Sequence, residues 1–214
     1  EDQDFDYIFH LACIPRVAYS VEQPVHTMMN NVLSTSIVLD FAKRKNVKRV
    51  IYSGSSSVVG NGDGPTSPYA LQKLTSELET KLYSDLYGID TVTLRYFNVY
   101  SPDQKADSPY ATAVANWMRF IRDGNNPFIT GDGEQRRDMA HKNDVVAANI
   151  FAMEYEDKFA GRSFDVGDYI EDRKGDVLLT KADMSPLKEL GWEPKIHIKE
   201  GISKCFELLK GQLT

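Results

Sequence analysis

The stretch from Arg49 to Ser57 constrains this chain most: Arg49-Val50-Ile51-Tyr52 runs directly into Ser53-Gly54-Ser55-Ser56-Ser57. A short apolar run of this kind reads as a strand buried on both faces, as a parallel sheet requires. Its sudden change to small hydroxyl residues leaves polar groups at the strand's carboxyl end, where open α/β sheets place their ligands. The flanking patterns agree. Tyr7 to Leu11 reads as another strand, and Val25 to Lys45 as a long helix with Met28, Val32, Thr35, Val38 and Phe41 or Ala42 facing inward. Val47 to Ser53 is the next strand. Ser67 and Pro68 then supply a cap and a first-turn proline for a helix to about Tyr87, which Gly88 ends. Thr91 to Phe97 returns as a strand. Alternating strands and helices predict βαβ units around a parallel sheet.

After Ser101-Pro102 the texture changes. A helix is expected from about Pro109 to Arg122, broken by Gly124-Asn125-Asn126, then a short strand Phe128-Ile129-Thr130. Asn143 or Asp144 caps a helix to about Tyr155, and Ser163 to Gly167 is strand-like. Asp183 caps a short helix to Leu190, and Lys199 to Leu209 closes the chain as an amphipathic helix.

Bulk properties exclude several classes. A net charge of −6 gives no general attraction to nucleic acid or to an anionic membrane. No apolar run approaches the length of a membrane span, and the acidic start Glu1-Asp2-Gln3-Asp4 is unlike a signal peptide. Cys13 and Cys205 lie far apart without a CxxC, and His10, His26, His141 and His197 are scattered. A reduced, cytoplasmic protein without a metal site is the expectation.

The chemistry concentrates in Tyr69-Ala70-Leu71-Gln72-Lys73. Residues four apart on a helix share a face. A free phenol titrates near ~10 and is a poor base at neutral pH, whereas an adjacent ammonium favours the phenolate. The pair is thus an acid/base device, delivered beside the strand-end serines. On this helix Leu71, Leu74, Leu78 and Leu82 read as the core stripe, with Tyr69 and Lys73 on another face.

Six segments together resemble one family. His10-Leu11-Ala12-Cys13 is similar to a strand-end HLAA, and Asn31-Val32 matches an Asn-Val in the following helix. Ser55-Ser56-Ser57-Val58-Val59-Gly60 resembles SSSVYG, with Val59 in place of tyrosine. Arg95 to Pro102 is close to RYFNVYGP, Gly131 to Asp138 to GDGEQTRD, and Arg173-Lys174-Gly175-Asp176 to an R-x-G-D. The chain resembles the extended short-chain dehydrogenases/reductases, specifically the nucleotide-sugar epimerases. This implies a Rossmann-like doubly wound sheet over residues 1–101, with 139–168 returning to it. A smaller α+β substrate lobe would then span 102–138 and 169–214. The family's glycine-rich fingerprint has no counterpart, as if the chain began at about the fourth strand; the connections at Gly60–Pro65 and Gly167–Tyr169 are shorter than the family's. We expect further chain outside these 214 residues.

The resemblance implies roles residue by residue. Tyr69 removes the sugar hydroxyl proton, Lys73 holds the nicotinamide ribose and lowers the phenol's pKa, and Ser55, with Ser56, bonds the reacting oxygen. Leu11, Ala12, Cys13, Asn31, Ser53, Tyr96, Asn98 and Val99 would line an NAD site together with Tyr69 and Lys73. Asn98, Phe128, Arg137, Arg173 and Asp176 would join Ser55 and Ser56 around a UDP-sugar. Plainer readings exist: a surface ion pair for the arginines and Asp176, a turn-capping amide for Asn98, a capping role for Ser53 and Ser57, a small filler for Cys13, and core packing for Met28 and Met29. Ser56-Ser57 supplies no carboxylate where related dehydratases and decarboxylases carry one, so 4-epimerisation of UDP-glucose or UDP-GlcNAc leads. A keto-sugar reductase using NADP, another reaction of the family or an inactive relative is the alternative. A homodimer pairing the Val25–Lys45 and Ser67–Tyr87 helices is also implied.

Overall fold

The computed structural model describes residues 4–60, 62–104, 111–128, 136–168 and 179–213. β1 (Tyr7–His10) leads to α1 (Val17–Glu22) and α2 (Pro24–Met28), then through a π-helical turn, Met29–Leu33, into α3 (Ser34–Arg44). β2 (Arg49–Ser55) ends in a short 3-10 turn, Ser56–Val58, followed by α4 (Pro68–Tyr87), β3 (Asp90–Tyr96) and α5 (Ala113–Arg122). Then come β4 (Arg136–Arg137), α6 (Lys142–Glu154), β5 (Ser163–Val166), β6 (Leu179–Thr180), α7 (Ser185–Glu189) and α8 (Ile198–Leu213).

β1, β2, β3 and β5 form one parallel sheet in that order, and β4 pairs with β6 separately. Successive strand residues face opposite sides. Ile51, Val92 and Leu94 meet Ala148 and Ala152 of α6, while Val50 meets Leu39 and Ala42 of α3. Helices cover both faces, as the βαβ reading expects. The connection from Val59 to Thr66 closes as a tight turn, with Gly62 and Gly64 amides donating to the Val59 carbonyl at 3.0 and 3.3 Å.

Two helical faces correct the sequence reading. On α4 the inward residues are Tyr69, Gln72, Lys73, Ser76, Glu77 and Thr80. Leu71, Leu78 and Leu82 are instead 50–59% exposed, so the leucine stripe is not the core stripe. The physical reason is local: the inward side of α4 faces polar partners on the π-turn and strand ends, which leucine could not satisfy. Across the π-turn, Thr27, Asn31 and Thr35 are buried, whereas Met28 and Met29 are exposed rather than core residues. α1 is missed altogether, since its six residues carry no helical period long enough to read. Phe128 is exposed and lies outside any strand; Ile129 and Thr130 fall outside the described residues. His141, not Asn143 or Asp144, caps α6 through its Nδ1, which accepts from the Asn143 amide at 3.2 Å.

A buried guanidinium fixes the base of the sheet. Arg49 donates to Asp90 at 2.5 Å and to the carbonyls of Ala152, Tyr155 and Asp157 at 2.6–2.8 Å, closing the carboxyl end of α6. The other Asp90 oxygen accepts from the amides of Phe159 and Ala160. At the opposite end, carboxylates hold the C-terminal segment by its backbone. Asp138 accepts from the Ala182 amide at 2.6 Å, Asp144 from Lys195 and Ile196 at 3.0 and 3.1 Å, and Asp168 from Ile198 at 2.5 Å.

Candidate active site

α4 packs against β2, β3 and the turn Ser56–Val58 that follows the carboxyl end of β2. Ser67 caps that helix by accepting from the Ala70 amide at 3.2 Å, and the buried Ser20 of α1 accepts from the Tyr69 amide at 3.0 Å. Ser20 is a site-building residue that sequence reasoning missed. These two hydroxyls fix where the helix starts, and hence which way Tyr69 and Lys73 point.

Tyr69 is 9% exposed, with Ser55 beside its phenol. Burial, then the neighbouring Cys13, pushes the phenol up to about 12, with Ser55 pulling the other way. Ser55 is itself oriented by Ser57, whose hydroxyl lies 2.9 Å away and whose amide donates to Ser55 Oγ at 3.2 Å. Ser57 is thus structural, as expected, and Ser56 is half-buried beside it.

Lys73 is 3% exposed and donates to the Ser53 carbonyl at 2.7 Å, with its ammonium 4.9 Å from the Tyr52 ring centre. Burial lowers its pKa. The expected lowering of the phenol's pKa by Lys73 is absent: the ammonium is spent on a strand-end carbonyl and a ring face. Desolvation therefore wins, and Tyr69 is a stronger proton holder than free tyrosine.

The other predicted cofactor contacts divide. Leu11 and Ala12 are exposed and Cys13 half-buried at the end of β1. Asn31 does not point outward: it accepts from the Ile14 amide at 2.7 Å and donates to Gln72 at 2.8 Å, so it pins the loop that carries Leu11 to Cys13. Ser53 and Tyr96 are 3.2 Å apart, and Asn149 of α6 donates to the Tyr96 hydroxyl at 2.8 Å. These side chains are held by hydrogen bonds to one another and to the neighbouring backbone at the strand ends. Asn98, at a positive φ of 33°, donates to the Asp138 carbonyl at 2.7 Å, tying the β3 end to β4; Val99 is half-buried beside it. Arg137 is exposed, whereas Arg173 and Asp176 lie outside the described residues.

An ammonium and a phenol on one helical face, beside an exposed Leu11-Ala12 stretch, form a donor set that fits a ribose and the ring it carries. No Gly-x-x-Gly-x-x-Gly occurs in the sequence, so the fit concerns the nicotinamide side of a dinucleotide.

Comparisons with known proteins agree with this geometry. A putative UDP-glucose 4-epimerase of Methanocaldococcus jannaschii is 29% identical over 97% of this chain and 78% of its own length. That alignment runs to 239 positions, longer than the 214-residue chain, so the relative carries segments this chain lacks. The solved UDP-glucose 4-epimerase of Thermotoga maritima superposes with a TM-score of 0.85 at 30% identity, covering 98% of this chain and 78% of that one. A UDP-N-acetylglucosamine 4-epimerase of Methanobrevibacter ruminantium follows at 0.84 and 31%, covering 97% and 77%. The model of the NAD dependent epimerase/dehydratase family matches residues 1–167. Parallel sheet, Ser-Tyr-Lys cluster and family match converge, and the chain belongs to the NAD dependent epimerase/dehydratase family.

Proposed function

We propose that this protein is a 4-epimerase of a UDP-hexose or UDP-N-acetylhexosamine. The observation that carries the reading is the gathering of Ser55, Tyr69 and Lys73 at the carboxyl end of β2, with hydroxyls rather than carboxylates at positions 56 and 57. Bound NAD supplies the acceptor and donor of hydride for a sugar carbon. The residues of this chain handle the proton. Ser55 holds the reacting oxygen, and Tyr69 takes its proton and returns it. For the forward step the phenol must first lose the proton that burial favours, and Lys73, seated at the Ser53 carbonyl on the same face of α4, supplies the positive charge that a phenolate needs. We assign Leu11, Ala12 and Cys13 to the cofactor and Arg137, Arg173 and Asp176 to the nucleotide of the substrate, with residues 102–138 and 169–214 as the substrate lobe.

One observation favours a second reading. A phenol protonated up to about 12 is ready to give a proton to a carbonyl oxygen, which is the need of a keto-sugar reductase. Separate incubation with UDP-glucose and with UDP-GlcNAc decides. Appearance of either 4-epimer, with NAD retained on the protein, supports epimerisation; net oxidation of added reduced cofactor with a keto sugar supports the reductase.

We also read the protein as a cytoplasmic homodimer. Both cysteines are free, and no helix of the described residues is long and apolar enough to cross a membrane. Exposed Met28, Leu33 and Ile37 lie along α2 to α3, and Leu71, Leu78, Leu82 and Leu86 along α4, an apolar surface matched to a second copy of the same helices.

A further inference from the structure

His10, the last residue of β1, is 4% exposed and pairs in register with Tyr52 of β2. Their rings lie 5.5 Å apart, and Lys73 is seated on the same Tyr52 ring at 4.9 Å. One aromatic side chain therefore carries the imidazole and the ammonium of the acid/base lysine. On the α3 side, His10 Nε2 is 3.0 Å from Thr35 Oγ1, and Thr35 gives its own hydroxyl proton to the Asn31 carbonyl at 2.8 Å. With that proton committed, the His10–Thr35 bond needs the proton on His10 Nε2.

We propose that His10 is a positioning residue for Lys73: as the neutral Nε2–H tautomer it anchors the β1 end to Thr35 and leaves Lys73 as the positive charge of this seat, and a second proton on His10 drives Lys73 from the Ser53 carbonyl. The inference deepens the acid/base reading of Tyr69 and Lys73. Titratable groups around the seat are Lys73, Tyr69 and Glu77 on α4, Tyr52 on β2 and Cys13 in the loop after β1; Arg95 of β3 is paired with Glu77. α3 presents the Thr35 hydroxyl. Burial, then the Lys73 ammonium, holds the imidazole down to about 4. An unfolded histidine titrates near ~6.5. The folded state thus refuses a proton through the window between these values, which is the condition for a neutral spacer beside a lysine.

Two readouts test this, one independent of turnover. Imidazole NMR of the full chain should show Nε2 protonated and Nδ1 bare at pH 7, and Lys73→Met should raise the His10 pKa because coupling between two sites is reciprocal. A Nδ1–H tautomer, or a His10 pKa unmoved by Lys73→Met, overturns the proposal. In the epimerase assay, activity at pH 4 relative to pH 7.5 should be about twofold higher in His10→Gln than in the wild type, since half of the wild-type imidazole is protonated there, while His10→Lys, with its fold checked by circular dichroism, should lose at least tenfold at pH 7.5. Superimposable wild-type and His10→Gln profiles overturn it as well. If no UDP-sugar turns over, the proposed reaction fails and the NMR arm still decides the role of His10.

Discussion

The ammonium of Lys73 donates to the carbonyl of Ser53 at 2.7 Å, and the phenol four residues earlier keeps its proton up to about 12. Strand end and helix start are thereby locked together, with Tyr69, the proposed acid/base residue, held in its protonated state. Tyr69→Phe removes that proton and little else. Turnover of the preferred UDP-sugar should fall by about 100-fold or more, while fold and NAD content stay close to wild type. A fall of less than about tenfold, measured at saturating substrate, would contradict proton transfer by Tyr69.

The same phenol sets an alkaline limit. Free tyrosine ionises near 10, whereas Tyr69 holds on to about 12, so between those values the unfolded state has lost a proton that the folded state retains. Stability from this group is complete below pH 10 and is lost as pH rises through 12. Urea midpoints from pH 9 to 11 should drop less steeply in Tyr69→Phe than in the wild type. Parallel slopes would show that the phenol is not held.

Arg49 and Asp90 form a pair in which each side chain is under a tenth exposed. Removing one partner strands the other, so Arg49→Met should cost about 3–5 kcal/mol. Arg49→Met with Asp90→Asn should recover part of that loss. Denaturant titration with an unchanged slope is the measurement. A cost below about 1 kcal/mol would mean that the carbonyls of α6 do not depend on the guanidinium.

Gly201 in α8 lies against the Tyr100 hydroxyl, which is buried and has no hydrogen-bond partner among the described residues. A methyl at 201 would overlap that oxygen. Gly201→Ala should therefore destabilise by about 1–3 kcal/mol, against alanine's better helix propensity. Tyr100→Phe should be near neutral, since it removes an unsatisfied hydroxyl. The double variant should regain most of the loss; additive effects would place the strain elsewhere.

The exposed leucines of α4 are the test of dimerisation. Leu78→Glu changes a side chain that is 59% exposed, so a monomer should notice it by no more than about 0.5 kcal/mol. A dimer closed over that face should dissociate instead. Sedimentation of the wild type as a monomer at micromolar concentration would rule out the interface.

The placement of Ser55 at a strand end and of Tyr69 and Lys73 on one face of a capped helix was legible in the sequence, because a strand end and a helix cap leave few alternatives. So was the parallel order of strands, written in apolar runs such as Val50-Ile51-Tyr52. The direction of α4 was not legible. Its leucines have the period of a core stripe, but period says only that a face is apolar, not which neighbour covers it, and here the sheet side is met by Lys73, Ser76 and Glu77. Ser20 and Asn149 were missed, and the bonds of Asn31 unforeseen, for a related reason. Each acts through long-range hydrogen bonds, Asn31 to Ile14 and Gln72, Ser20 to the Tyr69 amide and Asn149 to Tyr96, and such bonds leave no periodic trace.

Asp138, Asp144 and Asp168 grip the segment from Ala182 to Ile198 by backbone amides, groups that every residue except proline carries. That part of the attachment is blind to side-chain identity, whereas Ala182, Met184, Leu187 and Trp192 of the same segment are fixed by packing into the core. Its outer residues are free to be rewritten, by drift or by design, without unhooking it from the sheet. A segment fastened in this manner can change its outer surface while the arrangement of Ser55, Tyr69 and Lys73 stays as it is.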